Sequence, residues 1–143
     1  MTRPGAGDEG SVTLWTLGMV LIVLFLGGLT FDLYAGFTAR RTLAAAADSA
    51  AQAGANALDV AAYRHDGTRQ LDPALAEQLA AQSLAGQGLT QLTGQTISAD
   101  TGSVAVTLEA DVDLGLLRIF GDGEPLHVRV TATGAPRLQG ATP

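Results

Sequence analysis

The most prominent hydrophobic pattern in the chain is an unbroken apolar stretch at residues 12–31, VTLWTLGMVLIVLFLGGLTF. It contains no ionisable side chain, Asp8 and Glu9 precede it, and Asp32 follows it directly. About twenty apolar residues that rise 1.5 Å each span the ~30 Å hydrocarbon core of a bilayer. A core helix of a small soluble domain would carry a polar stripe at a period near 3.6. The stretch therefore predicts a transmembrane helix, and Asp32 marks the end of the span.

Helical character continues beyond the apolar stretch. Residues 32–63 contain no proline and are rich in alanine, the residue with the highest helix propensity. We therefore expect one continuous helix over residues 12–63, of which 32–63 is the extramembrane part. This part carries a face of small residues near i, i+4 spacing, which favours close packing of helices. The face packs either on the rest of its own chain or on partner helices, and its members are Ala46, Ala50, Gly54, Ala57 and Ala61.

The remainder, residues 64–143, is expected to form a small α+β head. An acid followed by proline at residues 72–73 is a helix start signal, with the acid as N-cap. The predicted second helix places Leu75 and Leu79 on one face at i, i+4 spacing with Ala76 and Ala80 beside them, whereas Leu84 falls off that line. We expect this partial stripe to lie against the core of the head.

The last third of the chain changes to a period of two, which is typical of strands. Apolar and polar residues alternate over 104–114, with residues 95–99 as a partner strand and 126–133 as a third strand. The fold class is therefore α+β: a long N-terminal helix, a second short helix and a small antiparallel sheet of about three strands. The intervening apolar segment is expected to cap the sheet, or else to dip toward a membrane or partner; its apolar residues are Leu116, Leu117, Ile119 and Phe120.

Composition excludes several kinds of function. The formal charge of −6 and the absence of a basic cluster argue against nucleic-acid binding, which requires phosphate neutralisation. The chain has no cysteine, so it forms neither disulfides nor thiolate metal sites. No catalytic triad, phosphate loop or cysteine nucleophile is visible, and we expect neither an enzyme nor a cofactor.

The remaining polar candidates have simple structural interpretations. His65 and His127 lack metal-ligand spacing and are expected to be solvated. Glu109, Asp111 and Asp113 share one strand face, which could bind a hard cation. A charged face that protects an edge strand from pairing is the interpretation we favour for these acids.

Residues 1–11 are polar and rich in glycine, and we interpret them as a flexible leader. A cleaved secretory signal is the alternative, but the apolar run exceeds the usual 7–15 residues and only a poor cleavage site follows, near residues 35–36. The positive-inside rule does not decide the orientation of the span, because the numbers of positive charges at its two ends are nearly equal. Arg3 and the terminal amine lie on its N-terminal side, and Arg40 and Arg41 lie on its C-terminal side.

Residues 8–58 combine a leader ending in DEGS, the apolar span, Asp32, and the run RTLAAAADSAAQAGA. In this combination the chain resembles the TadE/TadG-like proteins, minor pilin-like components of the tight-adherence (Flp) pilus system. The resemblance implies a helix held in the cytoplasmic membrane with the head outside the cytoplasm. It also implies cleavage by a prepilin peptidase after Gly10, which would leave Ser11 as the N-terminus. Pilins of this system usually carry Glu at the fifth position after the cut, where this chain has Trp15, so a cut and an uncut anchor both stay open.

The leading hypothesis is thus a non-enzymatic, membrane-anchored, pseudopilin-like component of Flp pilus assembly or of an associated secretion system. Its expected partners are other pilin or pseudopilin subunits through the N-terminal helix, membrane lipid, a prepilin peptidase and pilus-assembly membrane proteins, with no nucleic acid. The expected location is the cytoplasmic membrane, in a single pass, or a surface pilus. The alternative is a secreted small binding domain whose N-terminal segment is a cleaved signal peptide.

Overall fold

The computed structural model describes residues 8–116 and 123–136, and within these ranges it confirms the α+β class with one long helix and a three-stranded antiparallel sheet. The elements are α1 (Asp8–Ala55), α2 (Val60–Asp66), α3 (Pro73–Ala85), β1 (Leu92–Ala99), β2 (Val104–Val112) and β3 (Leu126–Gly134). We call residues 56–116 and 123–136 the head.

The expectation of one helix over residues 12–63 is wrong at its C-terminal end, because α1 ends at Ala55 and a separate short helix follows. The chain leaves the helical path so that Ala57 enters the core, where it is 1% exposed, and its carbonyl accepts a hydrogen bond from the Asp72 backbone N–H at 2.9 Å. Asp59 then acts as N-cap of α2, since its carboxylate accepts the first free N–H groups of that helix. Tertiary pairing thus overrides the helix propensity of the alanines.

The sheet has the order β1-β2-β3, with both pairs antiparallel. Residues along β2 alternate between buried and half-buried positions over the whole strand, which confirms the period-two prediction. β2 is nevertheless the central strand, so the interpretation of its acidic face as protection of an edge strand is wrong. The turn between β1 and β2 is held by Asp100, whose Oδ1 accepts from the N–H groups of Gly102 and Ser103 at 2.7 and 2.6 Å.

Helices α1 and α3 cover one face of the sheet and form the core with it. The packing is close because small residues lie at the contacts: a Cβ atom added to Gly54 of α1 would lie 2.9 Å from the Ala76 carbonyl oxygen of α3. The core is aliphatic and built around β2, and its buried members are Leu43, Ala46, Ala47, Ala50, Ala51, Ala80, Leu84, Val104, Val106, Leu108, Ala110 and Ala132.

Helix α3 starts as predicted, with Asp72 as N-cap and proline at its first position. Its buried face agrees with the prediction at Ala76 and Ala80 but differs in the leucines, because Leu84 is 5% exposed and belongs to the core, whereas Leu75 is 38% exposed. The line that faces α1 and the sheet consists of Ala76, Ala80 and Leu84. Two alanines and one leucine allow α3 to approach α1 closely, which two leucines in the same places would prevent.

Candidate functional site: the apolar helix and its junction with the head

Helix α1 has two parts with opposite environments. From Leu43 onward its inner face is buried by the head, while residues 12–31 are exposed apart from the half-buried Gly18, Gly28 and Leu29. Among the described residues, α1 is the one helix long and apolar enough to cross a membrane. We call residues 12–31 the apolar span. Its exposed large apolar side chains are Val12, Leu14, Trp15, Leu17, Met19, Val20, Leu21, Ile22, Val23, Leu24, Phe25, Leu26 and Phe31.

The face of small residues that the sequence singled out is divided by the structure. Ala46, Ala50 and Gly54 lie on α1 and are buried against α3 and the sheet of the same chain. Ala57 is buried in the turn after α1, and Ala61 is exposed on α2. Of the two alternatives, packing within the chain is therefore the one observed for the three helical positions, and the face does not continue as one helical line.

Asp32 is the residue whose role the sequence reasoning missed. We expected it to mark the end of the span, but its side chain is 3% exposed and faces the head. Its two carboxylate oxygens accept hydrogen bonds from consecutive backbone N–H groups, those of Gly115 at 2.8 Å and Leu116 at 2.7 Å. Hydrogen bonds to an ionised acceptor are stronger than neutral ones. The signal available in the sequence was an acid placed directly after the span, with no indication of its partner 83 residues away.

Two glycines of α1 allow the head to lie directly on the helix next to Asp32. Leu116 lies against Gly28, where an added Cβ atom would overlap the leucine side chain. Leu126 lies against Gly36, where an added Cβ atom would be 3.4 Å from its Cδ2 atom. We call Gly28, Asp32, Gly36, residues 114–116 and Leu126 the junction.

The junction bears on the expectation that the apolar segment between β2 and β3 caps the sheet. Leu116, at the described end of this segment, packs on α1 at Gly28, which lies within the apolar span. Leu117, Ile119 and Phe120 lie outside the described residues. Capping of the sheet and the alternative of dipping toward a membrane or partner therefore both stay predictions.

The polar outer face of the sheet is paired across strands. Asp111 Oδ1 and His127 Nδ1 are 2.5 Å apart, and Glu109 Oε1 lies 2.6 Å from Arg129 Nη2. The prediction that His127 is solvated is thus only partly right, since its side chain is exposed and also paired with a carboxylate. Within residues 8–116 and 123–136, no cluster of three histidine or acidic side chains is arranged to hold a metal ion.

The expected processing site lies at the N-terminal end of α1. Helix α1 begins at Asp8, so Gly10 and Ser11 are in its first turns and the end of the expected leader is helical. The earlier residues of the leader lie outside the described ranges. Ser11 is exposed, and Trp15 is 74% exposed one turn further on.

Taken together, the fold and the junction define a class of protein in which one long helix has an apolar exposed half and a half that forms the core of a small α+β head. Residues 10–57 match the family described as putative Flp pilus-assembly TadE/G-like. Over these residues the chain is similar to TadE/TadG-like Flp pilus-assembly proteins, as the sequence resemblance indicated. The match covers α1 from residue 10 and includes only the first two residues of the head. No curated protein and no solved structure matches the chain.

Proposed function

We propose that this protein is a non-enzymatic, pseudopilin-like component of Flp pilus assembly, anchored by the apolar span with its head outside the cytoplasm. The observation that carries the proposal is the continuity of α1, which runs without a break from the exposed apolar span into the buried core of the head. Because one continuous helix belongs to both parts, the head is held at a fixed distance from the membrane.

The exposed aromatic residues of α1 support a membrane-spanning role. Trp15 and Tyr34 are 74% and 71% exposed. They lie nineteen residues apart on one helix, or about 28 Å at 1.5 Å per residue. Trp and Tyr are enriched at the two membrane–water interfaces, which lie ~30 Å apart. Phe31 and Phe37, 73% and 65% exposed, surround the same end of the span as Tyr34.

The expected partners correspond to different parts of this helix. The apolar span would contact membrane lipid and the helices of other pilin or pseudopilin subunits and assembly proteins. Gly10 and Ser11 would be the substrate of a prepilin peptidase, which must unwind the first turn of α1 to reach the peptide bond. We propose no catalytic role: His127 is paired with Asp111, and Glu109 with Arg129, on the outer face of the sheet.

The secreted alternative receives less support from the junction. A signal cut near residues 35–36 would divide α1 and remove Asp32 and Gly28 from the chain. The N–H groups of Gly115 and Leu116 would then lose the acceptor that holds them. A secreted head would have to reorganise this region.

The experiment is to determine the N-terminus of the full chain in its native host by intact mass, separately for membrane and medium fractions. We expect a membrane form, beginning at Ser11 if the prepilin peptidase acts despite Trp15. Gly10→Leu would then block processing, whereas the matched leader variant Gly7→Leu would not. A membrane form with the uncut N-terminus identifies an uncut anchored subunit, whose loss should still abolish pilus assembly.

Two outcomes would overturn the proposal. One is a form that begins near residue 36 and is found in the medium. The other is full restoration of pilus assembly, in cells that lack the gene, by a chain without residues 1–35. Either would show that the head functions without the apolar span.

A further inference from the structure

We propose that the tip of the head formed by residues 114–116 is a lipid-contacting surface, with Leu116 inserted among the acyl chains beside α1 and held there by Asp32. This inference rests on the proposed membrane anchor. It assigns to the head a second contact with the bilayer, separate from the apolar span, and it assigns to Asp32 the role of a positioning residue.

The first argument is depth. Leu116 lies against Gly28, which precedes the end of the apolar span at Phe31 by three residues. Gly28 is therefore about 4–5 Å inside the span at 1.5 Å per residue. A side chain that contacts α1 at this level lies at the same depth in the bilayer as the residue it contacts.

The second argument is the hydrogen bonding of the backbone at the tip. Lipid offers no hydrogen bonds, so an unpaired N–H group costs several kcal/mol there. The N–H groups of Gly115 and Leu116 donate to the two oxygens of Asp32, which is itself 3% exposed. These two hydrogen bonds thus provide an acceptor for both backbone N–H groups and donors for the Asp32 carboxylate at the membrane boundary. Such pairing is needed if a non-helical segment is to sit at this depth.

The third argument is the chemistry of the adjoining surface. Leu33, Phe37 and Leu126 are 51%, 65% and 43% exposed and lie around the groove beside Asp32. Arg40 lines the same groove, as does Arg129, whose guanidinium is paired with Glu109. An apolar surface bordered by arginines matches the bilayer interface, where acyl chains meet anionic phosphates. The side of the head next to the apolar span therefore matches a membrane in polarity, and Arg40 lies where it could reach the phosphates.

The absence of cysteine from the sequence allows a direct test by site-directed spin labelling. Leu116→Cys, Leu24→Cys in the span and Ala61→Cys on the exposed α2 would each be labelled in the full chain, in bilayer nanodiscs that contain anionic lipid. Power saturation with oxygen, which partitions into acyl chains, and with a polar nickel chelate, which stays in water, reports the depth of each label. Circular dichroism of each labelled chain checks that the helices and sheet remain.

We expect the label at residue 116 to relax more with oxygen than with nickel, as at residue 24, and the label at residue 61 to show the opposite. Asp32→Ala should raise nickel accessibility at residue 116 at least severalfold, because the tip loses its tether. Asp48→Ala, which removes an exposed acid of the same helix, should leave it unchanged.

Nickel accessibility at residue 116 equal to that at residue 61 would overturn the inference. Protection of residue 116 from both reagents would also overturn it, because a second protein copy would then cover the site. In both cases a lipid signal at residue 24 would leave the proposed anchor intact, whereas a water signal at residue 24 would refute the anchor itself. An unchanged depth in Asp32→Ala would refute the positioning role of Asp32.

Discussion

Replacement of Ala50 by leucine tests whether the small-residue face of α1 serves the head or a partner. Ala50 is 0% exposed and lies in the core formed by α1, α3 and the sheet. Leucine adds three carbon atoms. One turn along the same face, a single added Cβ at Gly54 would already lie 2.9 Å from Ala76 O and 3.0 Å from Val104 Cγ1. These distances are shorter than ordinary van der Waals contacts, so this face has no room for a larger side chain.

The expected cost follows from that lack of space. Overpacking a close-packed core costs about 1–3 kcal/mol, since the helices must separate and the new methylenes gain little burial. Each 1.4 kcal/mol corresponds to about a tenfold change in an equilibrium constant. Amide hydrogen exchange of β2, measured for the full chain in nanodiscs, should therefore become roughly 5- to 150-fold faster where it occurs through opening of the head.

A matched control is available on the same helix. Ala45 is exposed, so Ala45→Leu should change the stability of the head by less than about 0.5 kcal/mol. The reasoning is refuted if Ala50→Leu leaves exchange of β2 unchanged. It is also refuted if Ala50→Leu leaves the head intact while it abolishes association with other subunits, because the face would then be a partner surface.

Three further predictions concern the head. Asp72→Ala should destabilise it by about 1 kcal/mol by removing the N-cap of α3, measured by thermal unfolding, while Asp72→Asn should retain most of the stability. Leu108→Ala should cost about 2–5 kcal/mol because its side chain is fully buried in the central strand, and a loss below 1 kcal/mol in chemical unfolding would contradict the assigned core. The N–H groups of Gly102 and Ser103 lower the pKa of Asp100 below 3.8 in the folded chain. The ionised Asp100 should therefore stabilise the folded chain fully above pH 3.8, and this stabilisation should be lost as the pH falls through the lowered pKa of the folded state. Unfolding followed by circular dichroism at a series of pH values should show that the free energy of unfolding depends less on pH in Asp100→Asn.

The sequence by itself determined the features that depend on local patterns. The uninterrupted apolar run predicts a long exposed helix because no polar stripe interrupts it. The alternation over β2 predicts a strand with one buried face because side-chain direction has a period of two. The Asp72–proline pair predicts the start of α3 because it supplies a cap and needs no N–H. The apolar span and the alanine-rich segment together also carried enough pattern for residues 10–57 to match the TadE/G-like family.

Only the tertiary structure decided the features that depend on contacts between distant residues. Helix propensity predicted that the helix continues beyond Ala55. The helix ends at Ala55 because Ala57 is buried and its carbonyl accepts a hydrogen bond from the Asp72 backbone N–H. Leu84 is buried because the crossing of α3 over the sheet selects that face, which helical periodicity alone does not define. Asp32 was visible as an acid beside the span, but its partners Gly115 and Leu116 lie 83 and 84 residues away. No local pattern encodes such a pairing, because it arises when the folded head brings backbone N–H groups to the end of the span.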